Sequence, residues 1–158
     1  MAQDYGKDYD LAVELWKEDI RECRILATMI MPVDKMSPDI VRLWACSLCN
    51  QEIAEIAAFN VFRYLDDAKK YAFCWIASCN EMEEICGYNV FSRLFVSGEK
   101  LDDREADEFI DHVQAAFADK KLSVRHAAAN ALTRFAEIDN TCRKKIEIMS
   151  KSCNLDIL

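Results

Sequence analysis

The sequence predicts an all-α protein, an α-solenoid of about four antiparallel helix pairs plus a C-terminal helix. The helical class follows from composition: 52% of the 158 residues are apolar, and only three are Gly and two Pro, too few for the many turns of a β architecture. The solenoid follows from an internal repeat of helix-pair length. The length suits one core, so residues 1–158 are expected to form a single domain.

Between the breaks in the chain lie helix-length stretches with apolar residues at helical spacing. They form pairs and a final helix, with predicted ranges 8–30, 38–65, 67–97, 104–138 and 140–151. The second half of the second pair is predicted as one continuous helix, 50–65.

Capping residues support these boundaries. Ser37 followed by Pro38 is typical of a helix start, and Asn80 and Ser123 are further N-cap candidates. Gly98 is a C-cap candidate.

The repeat is marked by residues that recur once per pair. In the first helices a Trp recurs after 28 and then 31 residues, and in the second helices the motif "NVF" recurs after 29 residues. The marker residues are Trp16, Trp44 and Trp75 in first helices, and Asn60, Asn89 and Asn130 in second helices. A large aromatic residue repeated in this way favours a core contact between repeats over a ligand contact.

One face of the predicted helix 50–65 combines acids with an aromatic residue. At helical spacing, Gln51, Glu52 and Glu55 gather on one side, and Phe59 falls within the same arc. A shift of one repeat maps Glu55 onto Glu84 and Phe59 onto Tyr88. Aromatic rings and carboxylates both favour a flat cation. The alternative is that Phe59 and Tyr88 fill the seam between neighbouring helices.

The net charge of −8 disfavours DNA as a partner, because duplex binding depends on Lys and Arg at phosphates. The C-terminal third is more basic and leaves room for a local phosphate-binding patch, with candidates Arg125, Arg134 and Lys144.

The sequence shows neither a signal peptide nor an apolar run of about 20 residues. We therefore expect a cytoplasmic protein without membrane contact, whose eight Cys are reduced core thiols. The spacings of Cys and His indicate neither a metal site nor a cofactor.

The segments "LAVELWKEDIRECRILATMI", "KYAFCWIASCNEMEEICGYNVFSRLF" and "SVRHAAANALTRF" resemble the AlkD-like DNA alkylation repair glycosylases. That family has HEAT-like repeats and excises cationic alkylated purines, and the resemblance covers roughly residues 5 to 138. It implies a pocket made of a carboxylate, two Trp faces and an Arg. The corresponding positions here hold Glu55, Gln51, Asn130 and Ile85. The resemblance also implies a member that is short at its N-terminus.

Two functions are compatible with these residues. The first is a non-catalytic scaffold that binds a protein, a peptide or a small cationic partner on its concave face, with possible self-association through the N-terminal repeat. The alternative is a glycosylase or lesion binder acting on cationic alkylated purines. In that alternative Glu55 is the catalytic carboxylate, Phe59 and Tyr88 replace the Trp faces, and the basic candidates hold phosphates.

Overall fold

A computed structural model describes residues 6–153, with side chains described through residue 149. The described part contains nine α-helices: α1 (Tyr9–Lys17), α2 (Arg21–Ile30), α3 (Pro38–Cys46), α4 (Gln51–Asn60), α5 (Ala68–Ile76), α6 (Glu81–Val96), α7 (Asp103–Asp119), α8 (Leu122–Ala136) and α9 (Asn140–Cys153). Two 3-10 turns, Val33–Lys35 and Phe62–Tyr64, follow α2 and α4. None of these helices is long and apolar enough to cross a membrane. The ends of the predicted domain, residues 1–5 and 154–158, lie outside the described residues.

The helices are arranged as a solenoid. The second helices α2, α4, α6 and α8 pack side by side in that order. The first helices α1, α5 and α7 each pack on the second helix of their own pair, and α9 packs on α7 and α8. The predicted all-α solenoid is therefore confirmed, and the row of second helices forms a shared layer on which a site can extend over several repeats.

Most predicted caps are present. The Ser37 hydroxyl accepts a hydrogen bond from a first-turn N–H at 3.4 Å, with Pro38 beginning α3. The Asn80 side chain accepts from two first-turn N–H groups of α6, at 2.9 and 3.4 Å. Gly98 follows α6 with φ of 88°, a left-handed conformation that favours glycine at the end of a helix.

The N-cap predicted at Ser123 is wrong. Helix α8 begins one residue earlier, at Leu122, and its N-cap residue Lys121 makes no side-chain capping bond. The Ser123 hydroxyl instead donates to Glu81 Oε1 at 2.6 Å, on neighbouring helix α6. The Ser123 hydroxyl therefore makes a hydrogen bond between repeats and not a capping bond within its own helix.

The single helix predicted over 50–65 is also wrong. Helix α4 ends at Asn60, and Val61 leaves helical geometry with φ −129° and ψ −66°. The residues after Asn60 are largely β-branched or aromatic, types that lose rotamer freedom in an α-helix. Arg63 lies in the 3-10 turn that follows, and its guanidinium lies over the Phe59 ring.

The repeated tryptophans pack in the core. The rings of Trp16 and Trp44 stack with centroids 4.0 Å apart and planes 5° apart, and the two residues are 3% and 1% exposed. Trp16 Nε1 donates to the Ser47 hydroxyl at 2.8 Å, which satisfies the polar atom of a buried ring. Trp75 packs against the Phe62 ring at 4.7 Å. These residues join successive pairs, as expected of core contacts between repeats.

Phenylalanines form the core contact between the third and fourth pairs. Phe91 and Phe95 of α6 meet Phe109 of α7 and Phe135 of α8, with ring centroids 5.1 to 5.6 Å apart. All four rings are buried. The pairs are tilted or edge-on except Phe91 and Phe95, whose planes are 22° apart. Phe95 and Phe109 both contact Phe135, so this cluster fixes α8 against α6 and α7.

The prediction of core thiols is largely wrong. Seven cysteines in the described part are free thiols, and four of them are exposed: Cys46, Cys49, Cys74 and Cys79. Only Cys86 is fully buried, and burial raises the pKa of its thiol. Cys46 and Cys74 lie in the last turns of α3 and α5, and Cys49 and Cys79 lie in the loops that follow these helices.

Candidate functional site

The candidate catalytic residue Glu55 lies on the exposed side of α4. Gln51 Nε2, one turn earlier, donates to Glu55 Oε1 at 2.7 Å, and both residues are exposed. A carboxylate in this position is hydrated and its charge is screened by solvent and salt, unlike a carboxylate in a dry pocket. The structure thus brings two predicted site residues together, but on an open surface.

Glu52 forms an ion pair with the preceding repeat. Arg21 Nε, on α2, donates to Glu52 Oε2 at 2.7 Å, and Arg21 Nη2 donates to Glu52 Oε1. This two-point contact lowers the pKa of the Glu52 carboxyl. Arg21 thus contacts both oxygens of Glu52 on a half-exposed surface, and the role of this carboxylate as a wall for a cationic ligand stays a prediction.

Three residues predicted to line the concave face are buried instead. Glu84 is 3% exposed and accepts a hydrogen bond from Lys120 Nζ at 2.8 Å. Ile85 is 0% exposed and Tyr88 1% exposed. The Tyr88 hydroxyl donates to the His112 carbonyl oxygen at 3.0 Å.

Glu84, Ile85 and Tyr88 are buried because α6 has a central position and packs against α4, α5 and α8. Helix α6 therefore buries more of its surface than α4 does. Burial, aided by the nearby Glu84 charge, raises the pKa of the Tyr88 hydroxyl. Placing Glu84, Ile85 and Tyr88 on an open binding face is wrong, and for Tyr88 the alternative of a seam residue is correct.

The remaining predicted residues are exposed on the last two helices. Asn130 and the candidate phosphate contacts Arg125 and Arg134 lie on α8, and Lys144 lies on α9. Arg134 Nη1 donates to Glu137 at 2.9 Å. Nine residues separate Arg125 from Arg134, which places them on opposite margins of a helix. They therefore do not converge, and their phosphate contacts stay predictions.

The structure brings a different group together around Phe59, which is 43% exposed. The Arg63 guanidinium carbon lies 4.5 Å from the Phe59 ring centroid, and that of Arg93 lies 4.8 Å from it. Arg63 also lies 4.4 Å from the centroid of the Tyr64 ring. The positive charge expected beside Phe59 thus comes from the protein itself. We call Phe59, Arg63, Tyr64 and Arg93 the arginine cluster.

The two arginines of the cluster lack acidic partners. Within residues 6–149, neither Arg63 nor Arg93 has a carboxylate within 4.0 Å. Arg63 Nη2 donates to the Tyr64 hydroxyl, while its Nε is buried without a hydrogen-bond partner. Ten other basic residues do pair with carboxylates: Lys17, Arg21, Arg24, Arg42, Lys69, Lys100, Lys120, Lys121, Arg134 and Lys145. Seven further basic residues within residues 6–149 also lack a carboxylate within 4.0 Å. The cluster is distinguished by two such guanidinium groups that lie against one aromatic ring.

A signal for these arginines is present in the sequence. An Arg follows the repeated Asn by three or four residues in each of three pairs: "NVFR", "NVFSR" and "NALTR". Arg63 and Arg93 come from the first two of these motifs. The Arg of the third motif, Arg134, is the only one of the three that is a predicted phosphate contact.

A cleft of about 530 Å³ opens beside the cluster. It lies between the C-terminal ends of α2 and α4, and its lining includes Lys7, Thr28, Phe59, Asn60 and Tyr64. Asn60 Nδ2 donates to Thr28 Oγ1 at 2.8 Å, which joins the two helices. Lys7 Nζ donates to two backbone carbonyl oxygens, at 3.1 and 3.0 Å. The cleft therefore combines aromatic surface, polar groups and nearby positive charge.

Comparison with known families identifies the chain. The sequence model of the DNA alkylation repair enzyme family matches residues 1–145. This chain belongs to that family. The predicted resemblance is therefore confirmed over nearly the whole chain.

This DNA alkylation repair family member also matches a solved structure, with a TM-score of 0.84 and 18% sequence identity. That structure represents "a new family of proteins related to the HEAT-like repeat DNA glycosylases with affinity for branched DNA structures". The match covers 95% of this chain and 65% of the other, so the chain spans less than two thirds of that relative's length. The likeness confirms the HEAT-like fold. A comparison with curated proteins finds no match.

Within the family, the pocket implied by the resemblance is altered here. At the implied Arg position Ile85 is in the core, and at one implied Trp position Asn130 is exposed. Gln51, at the other Trp position, is hydrogen-bonded to Glu55. Two guanidinium groups without a carboxylate within 4.0 Å lie instead at the arginine cluster, where Phe59 and Arg63 follow Glu55 by one to two helical turns.

Proposed function

We propose that this family member is a HEAT-like repeat scaffold that binds DNA through its backbone phosphates at the arginine cluster and does not excise bases. The observation that carries the proposal is the approach of Arg63 and Arg93 to one aromatic ring, at 4.5 and 4.8 Å, with no carboxylate within 4.0 Å of either in residues 6–149. Guanidinium groups bind phosphate oxygens through charge-assisted hydrogen bonds. The affinity of the structural relative for branched DNA supports the same ligand class.

The net charge of −8 is unevenly distributed, and three of the acidic residues lie beside the cluster: Asp34, Asp66 and Asp67 line a cleft with Tyr64, but no carboxylate of residues 6–149 lies within 4.0 Å of Arg63 or Arg93. Helix α7, a first helix, carries an exposed acidic row: Asp103, Asp107, Glu108 and Asp111. The cluster lies in the layer of second helices, at α4 and α6. Charges separated by more than a Debye length of about 10 Å at 0.1 M salt are largely screened. A local basic site can therefore attract phosphates although the chain is acidic overall.

The surroundings of Glu55 support the non-catalytic part of the proposal. Stabilising a developing sugar cation requires a preorganised carboxylate in a site that excludes water. Glu55 is exposed and hydrogen-bonded to Gln51. Of the two aromatics expected to replace the Trp faces, Tyr88 is buried, and Phe59 already has the guanidinium groups of Arg63 and Arg93 against its ring. A protein or peptide partner on the same face, self-association and a cytoplasmic location stay predictions.

The proposal is tested by the salt dependence of DNA binding. Fluorescence anisotropy with a labelled branched DNA, measured from about 50 to 200 mM salt, should show affinity that falls steeply with salt. Arg93→Gln should weaken binding and reduce the slope of log K against log salt by about 1.

Arg42→Gln is the matched control, since Arg42 is exposed on first helix α3 and away from the cluster. It should leave both affinity and slope unchanged. Absence of binding at about 50 mM salt, or equal effects of the two substitutions, would contradict the proposal.

A further inference from the structure

Tyr64 is a large aromatic residue that stands exposed at the edge of the arginine cluster. It is 57% exposed, and it lines two clefts, one of about 530 Å³ and one of about 350 Å³. Tyrosine in a folded protein normally buries most of its ring. Tyr64 therefore presents aromatic surface to whatever enters either cleft.

The Tyr64 ring is held in place. The Arg63 guanidinium carbon lies 4.4 Å from the ring centroid, and Arg63 Nη2 donates to the Tyr64 hydroxyl. Arg63 is held in turn by the Phe59 ring at 4.5 Å. One side of the Tyr64 ring is thus covered by a cation while more than half of the residue stays exposed. An aromatic platform that is already ordered loses little conformational entropy when a ligand stacks on it.

The larger cleft beside Tyr64 offers polar groups around this platform. Asn60 Nδ2 donates to Thr28 Oγ1, and the Asn60 side-chain oxygen is a further hydrogen-bond acceptor at the cleft. Asp34 lines both clefts and has no basic group within 4.0 Å among residues 6–149. A volume of about 530 Å³ is in the range of pockets that bind small aromatic groups.

We propose that Tyr64 is a stacking platform for an unpaired base of bound DNA, whose flanking phosphates are held by Arg63 and Arg93. The inference rests on the proposed function and adds a ligand class to it: DNA with bases outside the duplex. Proteins that bind unpaired strands combine cations along the backbone with aromatic rings on which bases stack. In a fully paired duplex the bases are stacked on one another, so an exposed ring at the protein surface finds no partner there.

The test compares two branched DNAs with the same number of phosphates. One carries two unpaired thymidines at the branch, and the other carries two abasic residues at the same positions. Wild-type protein should bind the first about 5- to 140-fold more tightly, the range for stacking of one base. Tyr64→Ala should reduce this preference to near 1. Tyr64→Phe keeps the ring and should retain most of it.

Two controls separate this inference from the proposed function and from loss of fold. Leu43→Ala removes a side chain of similar exposure, 56%, from first helix α3 and should preserve the preference. Circular dichroism melts should match for all variants. Arg93→Gln should weaken binding to both DNAs equally.

The results distinguish failure of the stacking inference from failure of the proposed function. Equal wild-type affinity for the two DNAs, with Arg93→Gln still weakening both, overturns the stacking inference and leaves the phosphate site standing. A preference that survives Tyr64→Ala also overturns it. Absence of binding to either DNA at about 50 mM salt means that the proposed function has failed, and the inference fails with it.

Discussion

The Arg93 guanidinium carbon lies 4.8 Å from the ring centroid of Phe59. Phe59 belongs to α4 and Arg93 to α6, so the contact joins the second helices of two consecutive repeats. A ring in this position attracts a cation through its quadrupole. Phe59 therefore positions Arg93, and with it a charge that the proposed function requires.

Phe59→Leu should separate this positioning effect from charge. Removing the ring takes away a cation–π contact that contributes about 0.5–1 kcal/mol at an exposed site, so DNA affinity should fall about 2- to 5-fold. The number of cations at the site is unchanged, and the slope of log K against log salt should therefore stay the same. Anisotropy titrations at several salt concentrations measure both quantities. A reduced slope would show that Phe59 acts in another way.

Glu55→Gln tests whether base excision takes place. We expect no release of a cationic alkylpurine from duplex or branched DNA by wild-type protein, and the same DNA affinity or a slightly higher one for the variant, since one negative charge is removed. Release is measured by strand cleavage at the resulting abasic sites. Release by wild-type protein that is lost in Glu55→Gln would instead establish the glycosylase alternative.

The sequence predicts the fold well because its signals are local and repeated. Trp16 and Trp44 recur at helix-pair spacing, and any stack of such pairs buries them. The site was harder to predict because exposure depends on neighbours. Tyr88 has the same place in its repeat as Phe59, yet α6 packs on both sides and buries Tyr88 while Phe59 stays 43% exposed. The arginine cluster also depends on the turn after Asn60, which helical periodicity does not reveal.

A double-mutant cycle should detect the tryptophan stack. Trp44→Leu and Trp16→Leu each remove part of a ring pair whose centroids are 4.0 Å apart. Each substitution should lower the free energy of unfolding by about 1–3 kcal/mol, less than the cost of truncating a core Trp to Ala. The coupling between them should be about 0.5–1.5 kcal/mol. Denaturant unfolding of the four proteins measures these values.

The matched control for this cycle pairs Trp16 with Trp75. The Trp75 ring contacts Phe62 and Tyr71, and no ring contact joins Trp75 to Trp16 in the described part. The losses in free energy of unfolding caused by substitution at these two positions should therefore add within about 0.3–0.5 kcal/mol. Equal coupling in both cycles would contradict a specific contribution from the stack.

Gly87→Ala should destabilise the contact between α5 and α6. A Cβ at Gly87 would lie 2.8 Å from Ile76 Cγ2, 2.9 Å from the Ala72 carbonyl oxygen and 3.0 Å from the Ile76 nitrogen. Two of these three atoms are backbone, so the helices themselves must separate. Overpacking of this kind costs about 1–3 kcal/mol, against a gain of up to about 1 kcal/mol from the higher helix propensity of Ala. A melting temperature equal to or above that of wild type would show that the helices separate without strain.

The ion pair between Glu81 and Lys121 should make part of the stability depend on pH. Hydrogen bonds from Lys121 and then Ser123 lower the pKa of the Glu81 carboxyl from its usual value near 4.5. A carboxyl whose pKa is lower in the folded state stabilises that state above its unfolded pKa, and the contribution is lost as pH falls through the folded pKa. Glu81→Gln should therefore melt below wild type at about pH 7, and the difference should shrink as pH falls through the lowered folded-state pKa of Glu81.

Glu108→Gln is the control for this pH dependence. Glu108 is exposed on α7 and has no basic group within 4.0 Å among residues 6–149, so its substitution should change the melting temperature little at about pH 7. The Glu81 bonds reach from α6 to Lys121 and Ser123, at 2.7 and 2.6 Å, and so connect the third pair to the fourth. A melting difference for Glu81→Gln that stays the same as pH is lowered until the carboxylates are protonated would show that packing of the side chain, rather than its charge, maintains this connection.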